Sequence, residues 1–278
     1  MFVGRLSLRK KIARKGAAMS IWMLLESTEQ RLPQLFRQVG APELSLLFDS
    51  TELAPYHMQS PILVKADDRS GLLEAAQQTP EVWPGLIVQS EHPEEAVLAH
   101  LRQILLVRFE GNRRGVLRYS NPTTASYFFP ACQTDQLKLW LGPVSHLSWY
   151  GGTWADRALG HVRWQGLEKP DAINWKASVH ESVLEANQQL ALQAQLQDHF
   201  LYRWWLKQNG LCYSRCRQWL GEGLHQGFTS AASLECYLAM RQVYPEGQLP
   251  VVSPTGPEQK RLNDLLIHLQ QIPAGQES

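Results

Sequence analysis

Two adjacent carboxylates, Asp67 and Asp68, follow an apolar run that ends at Val64. The end of a strand is where α/β enzymes often keep their acids, so the pair could hold a divalent ion for a hydrolase or nuclease. The same pair ahead of Arg69-Ser70 also suits a helix N-cap, and this plainer reading is preferred. Cys212 and Cys216 stand four apart and share a helix face, but no second Cys or His pair at zinc spacing accompanies them. With Cys132 and Cys236 they read as four free thiols of a reducing compartment. His180-Glu181 lacks a second histidine four residues beyond the first, and Gly221-x-Gly223 is followed by Gly227 one place late for a dinucleotide fingerprint. No Gly-x-Ser-x-Gly and no phosphate loop occurs. The sequence thus assigns no catalytic residue, no metal ligand and no cofactor.

Aromatic residues carry more information. Ten tryptophans are many for 278 residues, and Trp149, Trp154, Trp164 and Trp175 fall near an expected junction between lobes. Leu192, Leu196, Phe200 and Trp204 form an i, i+4 row, widened by Leu201 and Trp205 at its C-terminal end. Such a stripe is either wrapped by later helices or open to a partner's apolar segment, since interface cores favour Trp, Tyr and Arg. Trp83, Arg118 and Tyr119 are ambivalent in the same way: they staple local structure or line a cleft. Phe200, Trp204 and Trp205 join them as candidate partner-binding residues.

Composition bounds the rest. The chain is 44% apolar and 19% charged, ordinary globular values. It has no apolar run long enough to span a bilayer, and the expectation is a soluble cytoplasmic protein without stable membrane insertion. Residues 1–18 hold six of the 27 basic residues and no acid, leaving 21 basic against 26 acidic residues in a mildly acidic body. That start reads as a basic flexible tail, or as sequence upstream of a true start at Met19. A nucleic-acid-binding arm is the rival, disfavoured because neither interleaved aromatics nor a basic folded surface supports it.

The elements that would position these groups alternate. Strands are expected at Ile21 to Leu25, Leu44 to Phe48, Ile62 to Val64 and Leu86 to Gln89, and helices up to Gly40, at Leu72 to Gln78 and from Pro93 to Ile104. This predicts an α/β fold whose mixed, mostly parallel sheet is flanked by helices, with Leu32, Leu35, Phe36 and Val39 facing the sheet. Runs from Leu105 to Glu110 and Val116 to Tyr119 flank Gly111-Asn112-Arg113-Arg114 and predict a hairpin pairing at one sheet edge. Asn121 caps a helix with Pro122 at its first position. Gly142 ends the next helix in a left-handed conformation, and Pro143 blocks continuation. Beyond Lys169-Pro170-Asp171 the chain reads as helical, from a capping box at Ser178 and Glu181 to Gln208, roughly 45 Å at ~1.5 Å per residue. Helices then follow at Cys212 to His225, Ser230 to Val243 and Pro257 to Ile272. The expected organisation is a tail over 1–18, an α/β lobe over 19–168 and a C-terminal all-helical lobe over 169–278.

One resemblance emerges from the order of these pieces. Arg118, Tyr119 and Pro122, then Gly142, Pro143 and Val144 before a strand, resemble the effector adaptor-chaperone family of type VI secretion systems, formerly a domain of unknown function. Met23-Leu24-Leu25, Pro61-Ile62-Leu63-Val64 and Trp83-Pro84-Gly85-Leu86-Ile87 resemble further landmarks of that family. Ser120-Asn121 departs from the single acidic residue usual before the proline. The resemblance implies a non-catalytic adaptor that shields a hydrophobic or N-terminal segment of a secreted toxin. It would help load that effector onto the VgrG spike, with or without a PAAR-containing tip. The helical lobe, where the resemblance fades, would recognise the particular client.

Overall fold

The computed structural model describes residues 19–66, 71–170, 182–245 and 256–271. Asp67, Asp68, the basic start, Trp175 and the Ser178/Glu181 capping box lie outside the described residues. The chain divides into two compact units: residues 1–151 with 163–189, and 152–162 with 190–278. The boundary expected at 168/169 falls inside the second segment of the first unit.

The first unit is an α/β layer. Its strands are β1 (Ser20–Leu25), β2 (Leu44–Leu46), β3 (Ile62–Lys65), β4 (Gly85–Ser90), β7 (His146–Gly151) and β8 (Arg163–Glu168), in the order β2-β3-β1-β4-β7-β8. Its helices include α1 (Arg31–Val39), α2 (Leu72–Gln78), α3 (Glu94–Gln103), α4 (Pro122–Ala131) and α5 (Thr134–Leu141). Every neighbouring pair in this sheet is antiparallel, which corrects the expectation of a mostly parallel sheet. The alternation of strand and helix does make β3 and β4 run the same way across α2. But β1 fills the gap between them and opposes both, so the crossover is a split one.

Both sheet faces are covered. Met23 and Leu25 share a buried cluster with Leu35 of α1, Leu72 and Ala76 of α2, and Ile87. On the opposite face Trp149 donates from its indole Nε1 to Ser126 Oγ of α4 at 2.9 Å and packs on Phe129. Of the four α1 residues expected to face the sheet, Leu35 is fully buried while Leu32 and Phe36 are exposed. The inner face of α1 runs through Arg31 and Leu35 instead.

The predicted hairpin forms, as β5 (Leu106–Arg108) and β6 (Arg114–Val116), with Leu106 opposite Val116. It does not extend the large sheet. It builds a second sheet in the order β6-β5-β9, where β9 (Ser182–Val183) pairs parallel to β5. That pairing also displaces the start of the long helix. Helix α7 spans Ala186–Trp205, about 30 Å at ~1.5 Å per residue, because Ser182 and Val183 are taken up in the sheet.

Two motifs behave as read, with one addition. Asn121 accepts hydrogen bonds from the backbone N–H groups of Thr123 and Thr124, at 2.9 and 3.2 Å, and Pro122 opens α4. Gly142 has φ +55° after α5, a positive value although its ψ of −116° is outside the left-handed helical region. A Cβ there would land on the imidazole of His100. Two constraints therefore fall on one glycine, the backbone angle and the ring of a distant helix.

The second unit is helical: α6 (Trp154–Leu159), the C-terminal part of α7, α8 (Tyr213–His225), α9 (Ala231–Val243) and α10 (Glu258–Gln271). Its core holds Leu201, Trp204, Tyr213, Cys216, Trp219, Phe228, Tyr237 and Leu265. Cys212 and Ser230 stand at the N-caps of α8 and α9, where Ser230 accepts from Ser233 N–H.

Two predictions follow from these contacts. Asn121→Ala removes a satisfied cap and should cost about 1 kcal/mol in urea unfolding. His100 is buried and sits 3.0 Å from Trp140 O, and burial lowers its pKa to about 4. Its neutral form is the one that fits the fold, so its contribution is complete above the unfolded value near 6.5 and is lost as pH falls from there through 4. Stability should decline by about 3 kcal/mol over that window, and His100→Gln should flatten this part of the profile.

Candidate partner-binding surface

The six candidate residues do not converge on one cleft. Tyr119 is 1% exposed, and its hydroxyl donates to Leu101 O at 2.6 Å. Burial pushes that phenol well above its ordinary pKa. Tyr119 therefore staples the segment after the hairpin to α3. Trp204 lies in the core of the second unit, Phe200 and Trp205 pack against that core, and Trp205 Nε1 donates to Leu211 O at 2.8 Å.

Trp83 and Arg118 are each tied to the end of the large sheet where β1 finishes, Trp83 beside Arg31 and Arg118 through Gln59. The register puts Leu25 opposite both Ile62 and Gly85, so three strand ends and the loops leaving them share one rim. Gly85 is required there, because a Cβ would strike the Leu24 carbonyl. Arg31 organises the rim from beneath. Its Nε donates to Glu26 O at 3.1 Å and its Nη1 to Val82 O at 2.7 Å and to Gln34 Oε1 at 3.1 Å. The guanidinium carbon also lies 5.6 Å from the Trp83 ring centroid, within cation–π range. Burial lowers the Arg31 pKa while Glu26 works against that shift.

Two further segments are tied to the same rim. Ser27 Oγ donates to Met58 O at 2.9 Å and Arg118 Nη2 to Gln59 O at 3.1 Å, which fixes the 3-10 turn Ala54–Gln59 over the strand ends. Ser120, fully buried, donates its hydroxyl to Glu26 Oε1. A serine so enclosed is out of reach of a substrate, and its bond to Glu26 is structural.

What the rim presents outward includes three large apolar side chains, interleaved with the exposed polar residues His57, Gln59 and Glu81. Tyr56 is 60% and Met58 76% exposed on the 3-10 turn, and Val82 49% in the loop before β4. Isolated apolar side chains on a surface are ordinary; several large ones on segments tied together by hydrogen bonds offer a candidate contact surface. Chemically it can bury a partner's apolar groups, with Arg118 as a charged donor at its margin. The sequence reading missed Arg31, Glu26, Tyr56 and Met58. The one signal available was Arg31 at four-residue spacing before Leu35 in an otherwise apolar stripe. Among the described residues no group of three or more His, Cys, Asp or Glu could hold a metal ion, and no helix is long and apolar enough to cross a membrane.

Residues 21–139, from β1 into α5, match the family model described as Domain of unknown function (DUF4123). The match lies wholly in the first unit and contains the whole rim. No curated protein and no solved structure matches the chain.

The rim separates structural from surface residues in a way that mutation can read. Arg31→Met strands two carbonyls and should cost more than about 2 kcal/mol, whereas Arg118→Ala should change stability by less than about 0.5 kcal/mol. Urea midpoints of the two variants measure the contrast.

Proposed function

We propose that this protein is a non-catalytic adaptor chaperone of a type VI secretion system, which holds an effector's apolar segment and helps deliver it to the VgrG spike. The observation that carries this reading is the family match over residues 21–139, since that family is associated with type VI secretion. The apolar rim supports it physically. Tyr56, Met58 and Val82 stand exposed on a scaffold that holds them without help from a partner, so an effector segment that is costly to expose in water gains a dry contact on binding. The second unit lies outside the match, which suits a part that varies with the client.

Co-expression with the toxin encoded beside a spike gene is the test. The wild-type chain should co-purify with that toxin, and Tyr56→Asp with Met58→Asp should reduce recovery about tenfold with circular dichroism unchanged. Trp204→Ala, by contrast, should unfold the helical unit at lower urea, at a cost of about 3–5 kcal/mol. Failure of the wild-type chain to retain any toxin, or full retention by the Asp variant, refutes the assignment of this surface.

A further inference from the structure

Strand β6 lies at an edge of the small sheet, and among the described residues β5 is the one strand that pairs with it. Leu117 N–H donates to Leu105 O and Phe109 N–H to Arg113 O, each at 2.8 Å, and Gly115 stands opposite Val107. Residues 113, 115 and 117 therefore turn their backbone groups towards β5. In an antiparallel ladder the residue between two such residues turns the other way, so the N–H and C=O of Val116 face outward. The side chains alternate too. Arg114, Val116 and Arg118 are exposed, while Leu117 and Tyr119 are buried.

This edge is basic in an acidic body. Residues 105–120 hold four arginines and one glutamate, whereas residues 19–278 as a whole carry 21 basic against 26 acidic side chains. Arg114 pairs with Glu52 at 2.9 Å, and Arg118 donates to Gln59 O at 3.1 Å. Both contacts are exposed, and a pair in water is worth little, so a second carboxylate can share these guanidiniums, each of which carries several N–H donors. Glu52 and Gln59 bracket the 3-10 turn that presents Tyr56 and Met58, which makes the edge continuous with the rim. A second copy of the chain is a poor occupant. Two-fold antiparallel pairing centred on Val116 would set Arg114 of each copy against Arg118 of the other, and like charges directly opposite are destabilising.

Resting on the adaptor reading, we propose that β6 takes up an extended segment of the effector as an added strand. The segment pairs its backbone with the outward groups of Val116, which supplies affinity, and its alternate side chains give selectivity. An apolar residue lies beside Val116, and carboxylates two residues to either side of it face Arg114 and Arg118. This pattern reads the same in both directions, so it serves a parallel or an antiparallel strand.

Titrating the full chain with the capped peptide Ser-Thr-Asp-Thr-Val-Thr-Asp-Thr-Ser should move the backbone amide NMR signals of residues 113–118 saturably. The peptide with lysine in place of both aspartates should bind about tenfold more weakly. N-methylation separates strand pairing from charge attraction: methylating the amides of one alternate set of peptide residues should abolish binding, and methylating the other set should leave it. Val116→Pro removes the outward N–H and should weaken binding about tenfold with circular dichroism unchanged. Absence of saturable shifts, or tolerance of both N-methyl sets, overturns the proposal. So does equal binding of the lysine peptide. Toxin retention by the wild-type chain alongside any of these results removes the added strand and leaves the adaptor reading standing. Peptide binding without toxin retention keeps the acid-selective edge and removes the effector as its occupant.

Discussion

Strand β1 is hydrogen-bonded on both sides, to β3 over Trp22–Leu25 and to β4 over Ser20–Leu25, and the first unit is arranged around that fact. A backbone buried this way has nowhere else to satisfy its N–H and C=O groups. With helices over both faces, its side chains must also be apolar on both, and Trp22, Met23, Leu24 and Leu25 are each 2% exposed or less. The same strand brings α1 and the loop before β4 to one end of the sheet, where Arg31 ties them together. The rim is thus an outcome of strand order. Remove β1 from between β3 and β4 and neither Arg31 nor Trp83 has its neighbours.

Arg31 shows how a polar residue can organise an apolar surface. Its charge is buried, yet its donors meet the Glu26 and Val82 carbonyls and its flat face meets Trp83, contacts that an alkyl side chain could not replace. The loops it holds expose their apolar groups without collapsing onto them. In the second unit the balance is reversed: Trp204, Trp219 and Tyr237 are enclosed, and buried polar atoms such as the Tyr213 hydroxyl and the Trp219 indole nitrogen lack a hydrogen-bond partner.

Much of this was legible in the residue order, for local reasons. Asn121-Pro122 and Ser230 mark helix starts through chemistry confined to one turn, and each lies where such residues are expected. Sheet direction was not legible. An unbroken apolar run such as Trp22 to Leu25 is the usual mark of a parallel strand covered on both faces. A central antiparallel strand under two helix layers meets the same burial and reads the same. The face of α1 was misassigned because Leu32, Leu35, Phe36 and Val39 form a good stripe, and nothing local says that Arg31 lies inside it. The partnership of β5 with β9, and of Gly142 with His100, depends on contacts between residues far apart in the chain. As for the candidate site, Trp83 and Arg118 belong to the rim, but Trp204 looked as suited to a groove as to a core, because the same apolar character serves both.

The innermost strand is also the earliest in time. During synthesis, at roughly 5–20 residues per second, Ser20–Leu25 leaves the ribosome ahead of both strands that will enclose it. A greasy, β-prone segment therefore waits for seconds with its backbone unmatched. Until β3 and β4 have followed it, no strand of its own sheet can satisfy that backbone.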